Sequence, residues 1–569
     1  MQLQYVDLMD AMGQPAGHAE AWRWLGDRIT NYPHDRRYWP WKRATRKDRR
    51  RPIAMVGGSP AVRTNDTTAR IAALHILTPA GFTVVTDPEP IDMARASATA
   101  LFGPHTRATS LVVADGSKWL LESILAHLVP TWVADGYVIT PILGGHVMRG
   151  IVVRQGRYRW TLADIHAMTG STADELADTL APGPGPATVE EAHLAGLTRA
   201  VEAIQSVSLS TFGVYLRPTV SGTAMRAAGY HVPDGTLIPR PPPWVVTMAR
   251  VGRAYRGGYV FAEPYRGPAY KVDARRLYAR ALMEPLPTLW AMGHGIRDGR
   301  EQVGMFMCTV SGTALHPVTL PVWSGPELGF VVRPWADEVG IALLPSTEYR
   351  GLRAMGLTVT PGWGWVGTHP IALRTFIGRL QGLLREHGSA GAVGRMAKLL
   401  GNTLYGRLAV NPRREDLVYA TDQPRGNSWP VVRMTGEVVD NLWTVESERY
   451  APGQQVGMAT LITGWARSHL YEHMAGTIKA GRRIVHAHTD GYVATGSPPD
   501  DLPTRTDTIG DWRLEHWDTD AIVARAGGYH IAGETKWSGA PHEGRRTVEL
   551  AYGSAGWLLQ GQQVVALGR

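Results

Sequence analysis

The sequence predicts a multidomain protein of mixed α/β (α+β) class, and three observations carry that expectation. At 569 residues the chain is several times a typical domain of about 150 residues, so more than one hydrophobic core is required. Short apolar runs of strand length recur between longer stretches whose apolar residues have helical spacing. Two proline-rich breaks, Ala181 to Ala187 and Pro239 to Pro243, interrupt the pattern as stiff, donor-poor connectors do.

Upstream of the first break, Ser110 to Ala114 and Tyr137 to Thr140 read as buried strands, and Glu190 to Ser206 reads as a helix. From Arg253 onward, short strands alternate with helical stretches at His369 to Glu386 and Ser389 to Leu408. A third helix, Met458 to Ala480, leads into Arg483 to Ala494. That run alternates, turns at Asp490-Gly491 and alternates again, which predicts a β-hairpin with Asp490 at its tip. The uncharged stretch Gln302 to Pro326 is broken by Gly304, Gly312, Pro317 and Pro321, so it reads as strands and turns rather than a membrane span. No repeat with a period of about 20 to 50 residues is visible, which excludes a solenoid.

Hydrophobic residues make up 44% and charged residues 19% of the chain, a composition too apolar for a disordered protein. The net charge is +9, and the excess is concentrated. Between Arg36 and Arg51 nine Lys or Arg face a single acid, Asp48, with Tyr38, Trp39 and Trp41 interleaved. Cations that neutralise phosphates beside rings that stack on bases fit a nucleic-acid contact; a solvated basic arm is the other reading. The lone Cys308 excludes an intramolecular disulfide and a cysteine zinc cluster. Met1 to Asp10 lacks a basic n-region, so the expectation is a cytoplasmic protein with no membrane partner.

Three segments carry candidate chemistry. In Ala269 to Tyr278 a strand delivers Asp273 at its end, and a turn presents Tyr278 five residues later. In Lys398 to Gly406, offsets of four and seven residues put Lys398, Asn402 and Tyr405 on one helical face, with Leu399, Leu400 and Leu404 directed toward a core. A cation, an amide and a ring can hold a phosphate, a sugar and a base, or form an exposed polar face. The hairpin at His486 to Gly491 supplies a second carboxylate, Asp490. Two aspartates from separate strands of one sheet can bridge two divalent cations of the Mg²⁺ kind. His486 and His488, alternate residues on one face, read as packing or polar rim in preference to transition-metal ligands.

Taken in order, Tyr255-Arg-Gly257-Gly258, Asp273 to Tyr278, Lys398 to Gly406, His488-Thr-Asp490 and Lys536-Trp537 form a series that resembles the motifs of family B DNA polymerases. The resemblance is to the phage, organellar and plasmid type that includes protein-primed enzymes, and it covers roughly Leu111 to His542. It implies an RNase H-like exonuclease-type N-terminal domain (1–205, with the basic segment), followed by a right-hand polymerase. The polymerase would comprise palm (206–350, then 416–515), fingers (351–415) and a short thumb (516–569). Asp273 and Asp490 match the two metal-binding catalytic aspartates, served by two Mg²⁺ ions with Mn²⁺ as a substitute. Tyr278 matches the residue that excludes a ribose 2′-hydroxyl, and Lys398 the lysine that contacts the incoming triphosphate. Asn402 and Tyr405 match residues lining the nascent base pair. Tyr255, Gly257 and Gly258 match a loop that handles the template, and Lys536 the lysine that steadies the primer terminus, with Trp537 in place of the usual tyrosine pattern. The implied activity is templated addition of dNTPs to a primer 3′-hydroxyl, with primer-template DNA and dNTPs as partners and a terminal protein, primase or processivity factor as accessory ones.

The departures are specific. Motif A usually reads Asp-x-x-Ser-Leu-Tyr-Pro-Ser, whereas Arg276, Ala279 and Arg280 stand here for its Ser, Pro and final Ser. Motif C usually reads Asp-Thr-Asp-Ser, and His488 and Gly491 replace its first and last members. The expected exonuclease acids are missing as well. The segment Ala54 to Ala61 has none, the segment Ala114 to Leu120 ends in Leu120 where an acid belongs, and Thr198 and Arg199 stand near the third position. Without clustered carboxylates nothing holds the cations, so proofreading is not expected. Two other readings stand beside the polymerase: a catalytically inactive, polymerase-derived nucleic-acid-binding protein, and a template-independent or lesion-bypass nucleotidyltransferase.

Overall fold

The computed structural model describes residues 16–29, 39–40, 53–60, 71–78, 81–86, 89–102, 111–114, 120–144, 147–156, 158–177, 189–232, 237–410, 413–432, 438–448 and 454–537. The N-terminal ten residues, most of the basic run Arg36 to Arg51, the connector Ala181 to Ala187 and residues 115–119 of the second exonuclease-like segment lie outside them. The chain folds as two compact units, each assembled from distant segments. One takes 1–39, 237–374 and 455–569; the other takes 40–236 and 375–454.

The second unit is built on a ten-stranded mixed sheet. Ile53–Pro60 pairs antiparallel with Ile71–Thr78 and parallel with Leu111–Ala114, which in turn pairs parallel with Tyr158–Asp164. Helices Pro90–Phe102, Leu120–His127 and Val129–Ala134 cover this sheet through a core that includes Leu101, Val112, Leu120, Trp132 and Leu162. Asp164, at a strand end, caps the next helix by accepting a hydrogen bond from the Ala167 N–H at 2.8 Å. Strands between Arg413 and Glu448 extend the same sheet beside Val138–Gly144. The helix expected over Glu190 to Ser206 spans Val189–Phe212. The one expected from His369 starts at Arg374, because His369 and Pro370 close the 14-residue strand Thr358–Ile371 with His369 at φ +52°.

The first unit holds two antiparallel sheets. One has seven strands, labelled here in chain order: β1 (Val260–Ala262), β2 (Tyr265–Ala274), β3 (Ile484–His488), β4 (Gly491–Thr495), β5 (Trp512–Arg525), β6 (Gly528–Ile531) and β7 (Glu534–Trp537). Their spatial order is β1-β3-β4-β2-β5-β6-β7. The other sheet has six strands between Leu286 and Ile371. Two helices matter for the site: α1 (Leu277–Ala281) directly after β2, and α2 (Val456–Lys479) directly before β3. The sequence of α2 is apolar around most of its circumference, and the helix is buried accordingly. Its Leu470, Tyr471 and Met474 share one core with Tyr270 and Val272 of β2 and with Phe306, Cys308 and Leu344 of the six-stranded sheet. Among the described residues no helix is long and apolar enough to cross a membrane.

That core also encloses His316, which is 8% exposed and sits edge-on to Phe261 with ring centroids 4.4 Å apart. Burial disfavours the imidazolium and lowers its pKa to about 4. The unfolded chain takes up this proton near pH 6.5, the folded chain only near 4, so the stabilisation is complete above 6.5 and is lost as pH falls through that window. Denaturant titrations between pH 7 and 4 are predicted to show a loss of about 3 kcal/mol from this group, and His316→Phe should flatten the dependence.

Candidate active site

Strand alternation on β2 places Tyr270 and Val272 in the core and turns Lys271 and Asp273 to the opposite face. Asp273 is the penultimate residue of β2 and pairs with Gly491 at the start of β4. His488 pairs with Gly491 to close the β3–β4 hairpin, so the turn is Thr489-Asp490, one residue earlier than the Asp-Gly pair suggested. Thr489 adopts φ +59°, a left-handed conformation uncommon for a β-branched residue. Gly491 is needed for a different reason: a Cβ there would lie 2.6 Å from the Val272 carbonyl oxygen, so only glycine lets β4 approach β2 this closely. The Ala274 N–H donates to the Asp490 carbonyl at 2.8 Å. Hairpin tip and strand end are thereby fastened together, and the two aspartates come side by side.

Their proximity shows in the electrostatics. Burial first, then the Asp490 and Glu515 carboxylates, push the Asp273 carboxyl up to about 7, against the opposing pull of Arg513 and Lys271. Arg513, paired with Asp273 across β2 and β5, brings a guanidinium nitrogen to 3.7 Å from its carboxylate. Lys271 is occupied by Glu515 at 2.6 Å. Among the described residues no group of three or more His, Cys, Asp or Glu is arranged to hold a metal. The site is a pair of carboxylates with excess negative charge, a donor set that suits a hard divalent cation.

Tyr278 lies on α1 and is 9% exposed. The residue before the helix, Arg276, takes φ +53° as its N-cap. The loop carrying Tyr255, Gly257 and Gly258 runs against the same place. A Cβ on Gly258 would sit 2.7 Å from the Tyr278 hydroxyl and 2.8 Å from Thr489 Cγ2, whereas one on Gly257 would meet nothing within 4 Å. The Thr489 N–H donates to the Tyr259 carbonyl at 2.8 Å. Asp273, Asp490, Tyr278 and Gly258 therefore form one locality. Lys398, Asn402 and Tyr405 lie on the helix Ala392–Leu408 of the second unit. Lys398 is exposed, Asn402 and Tyr405 are half-buried, and Leu400 and Leu404 enter the core. Leu399 is only half-buried, against Gly170.

Lys536 is exposed on β7 and faces Tyr529 of β6 across the ladder. A tyrosine absent beside Lys536 in sequence is thus its neighbour across the ladder. His486 is 3% exposed and accepts a hydrogen bond from the Gly527 N–H at 3.1 Å. Burial, then the nearby His488 and lysines, lower its pKa to about 3, so it stays neutral as a packing group.

Sequence reasoning missed a buried ion triad beneath this locality. Glu348, fully buried, accepts from Arg467 Nε at 2.9 Å and Nη2 at 2.8 Å, and from Arg256 Nη2 at 2.6 Å. Arg467 Nη1 donates to the carbonyls of Arg256 and Gly257, each at 2.9 Å. Burial opposes ionisation of Glu348, but the two guanidiniums hold its carboxyl below the usual range. The charge of each residue was visible in the sequence; the pairing joins positions 92 and 119 residues apart, and no local signal marks it.

No family model and no curated protein matches the sequence. Among solved structures, the fold is that of a DNA polymerase, in agreement with the family B resemblance of the motif series. One protein it is similar to is phi29 DNA polymerase. Its ternary complex with primer-template DNA and incoming nucleotide matches with a TM-score of 0.61 at 16% identity, over 86% of this chain and 90% of that one. Its orthorhombic crystal form matches with a TM-score of 0.62 at 14% identity, over 88% and 94%. Its complex with single-stranded DNA gives 0.59 at 15% identity, over 88% and 94%.

The repulsion at the carboxylate pair sets a stability prediction. Asp490→Asn removes one charge facing Asp273 and should raise stability at pH 7 by about 1 kcal/mol, seen as a higher melting temperature by a few degrees. A lower melting temperature would show that the two carboxylates do not oppose each other.

Proposed function

We propose that the protein is a template-directed DNA polymerase that adds dNTPs to a primer 3′-hydroxyl and lacks proofreading. The observation that carries this reading is the juxtaposition of Asp273, at a strand end, and Asp490, in the adjoining hairpin turn, two carboxylates that repel each other within a polymerase fold. In this reading residues 206–350 and 416–515, which carry β1 to β4 with Asp273 and Asp490, are the palm, and residues 351–415, which include the helix with Lys398, are the fingers. Residues 516–569 belong to a short thumb, and residues 1–205 form an RNase H-like domain without exonuclease activity. The strand order around Ile53–Pro60 supports that last assignment.

Asp273 and Asp490 are the groups that would hold two divalent cations, Mg²⁺ with Mn²⁺ as a substitute. The Asp273 carboxyl raised to about 7 supports the fit, since a bound cation would restore its ionised form. Such ions, when bound, favour the ionised 3′-hydroxyl and stabilise the charge on the attacking and leaving oxygens of nucleotidyl transfer. The chain's own contribution is positioning and charge. Tyr278 closes the site against a ribose 2′-hydroxyl, and Lys398 meets the triphosphate. Asn402 and Tyr405 line the nascent base pair, the loop of Tyr255, Gly257 and Gly258 guides the template, and Lys536 steadies the primer terminus. Primer-template DNA and dNTPs are the partners, with a terminal protein, primase or processivity factor as accessory ones.

Purified protein with Mg²⁺ or Mn²⁺, primer-template and dNTPs is predicted to give templated extension that is abolished in Asp490→Ala, and a mispaired 3′ end should persist. Extension without a template would favour the template-independent reading. Salt-sensitive DNA binding with no extension under either metal would favour the inactive, polymerase-derived one. Independently of activity, Mg²⁺ should raise the melting temperature of the wild type and leave that of Asp490→Asn unchanged.

A further inference from the structure

The triad's side chains are buried, and the bonds of Arg467 to the Arg256 and Gly257 carbonyls lead toward Tyr278. Glu348 ends a short helical turn that follows a strand of the six-stranded sheet, and it is 0% exposed. It fixes the guanidinium of Arg467 through two nitrogens, leaving Nη1 to grip the carbonyls of Arg256 and Gly257. Arg256 is itself tied to Glu348 and, through its other terminal nitrogen, to the Thr319 carbonyl. The next residue of the loop, Gly258, presents its bare Cα to the Tyr278 hydroxyl and to Thr489. Beyond it, Tyr259 accepts the hydrogen bond from Thr489. The loop is thus clamped at both ends, and its clamped middle is the wall on which the Tyr278 hydroxyl rests.

We infer that Glu348, acting through Arg467 and the loop Arg256 to Gly258, is a positioning residue for the Tyr278 ring and so sets how strictly the site distinguishes deoxyribose from ribose nucleotides. The inference rests on the polymerase reading above. Burying three charges is costly and is seldom the most stable way to fill a core, so a triad aimed at a loop carbonyl pair has a positioning role to account for. A bidentate fork fixes direction as well as distance, which a lysine cannot do.

The test is the ratio of kcat/KM for dNTP over rNTP in templated single-nucleotide extension, measured for wild type, Glu348→Gln, Arg467→Lys and Gly258→Ala, each alone and combined with Tyr278→Ala. Gly258→Ala leaves the triad intact and pushes directly on the Tyr278 hydroxyl, so it keeps the test open where a triad variant does not fold. Each single variant is expected to change the ratio by about tenfold or more, the scale of a methylene-sized change in a pocket wall. In the Tyr278→Ala background, where the ring is gone, the same substitutions should produce no further change. A merely structural role would lower dNTP and rNTP use together and would persist beside Tyr278→Ala. Folded variants with wild-type ratios overturn the inference alone; a wild type that incorporates no dNTP with either metal overturns the polymerase reading and the inference with it.

Discussion

The repulsion between Asp273 and Asp490 is the constraint around which the first unit is arranged. Burial first, and then the Asp490 and Glu515 carboxylates, push the Asp273 carboxyl up to about 7, together a cost of a few kcal/mol and a large share of the stability of any domain. The pair stays together because each aspartate is fastened through its backbone. Asp273 is fixed by ladders on both sides of β2, and Asp490 by a two-residue turn whose carbonyl accepts from Ala274. The bare Cα of Gly491 permits that approach, and the left-handed Thr489 is a local strain that the surrounding ladder sustains. Compensating cations remain one step away: Arg513 reaches only 3.7 Å, and Lys271 is occupied by Glu515. Negative charge is therefore left over beside the two carboxylates.

Support for this arrangement comes from α2. One end of the helix leads into the hairpin strand β3, its middle fills the core shared by the two sheets, and Arg467 reaches from it to the loop beside Tyr278. A helix buried around most of its circumference cannot shift without opening that core, so the loop and the hairpin it serves keep a common reference. The same logic explains the short contact at Gly258: a loop anchored this firmly tolerates no extra atom between itself and Tyr278.

Much of the carboxylate site was legible in the sequence because its signals are local. Alternation around His486 to Val493 predicts the hairpin, and a strand ending at Asp273 predicts the second carboxylate. The spacing of Lys398, Asn402 and Tyr405 predicts their shared face. What escaped depends on pairing between distant segments. Glu348 carries no mark that distinguishes it from a surface acid, and only the fold brings Arg256 and Arg467 to it. Likewise Tyr529 becomes the neighbour of Lys536 through the β6–β7 register, and Arg513 the neighbour of Asp273 through a β2–β5 ladder with two register shifts. The turn was misplaced by one residue because Asp-Gly is the stronger turn pair, yet here the glycine is needed for interstrand approach.

The departures from the usual motifs have a physical reading of the same kind. In place of the motif C serine stands Gly491, at a point where any Cβ would strike the Val272 carbonyl, so in this chain the position belongs to backbone packing. His488, in place of the first motif aspartate, sits on the ladder between β1 and β4, and burial followed by the charge of Lys536 keeps its pKa below the ordinary value. It brings no third carboxylate to a pair already short of positive charge. Arg276 occupies the left-handed residue that turns β2 into α1, a backbone position that fixes where Tyr278 begins its helix. Arg276, Gly491 and His488 thus fall where the chain needs a turn, a close approach or a charge relief, while Asp273, Asp490 and Tyr278 stay together in one locality.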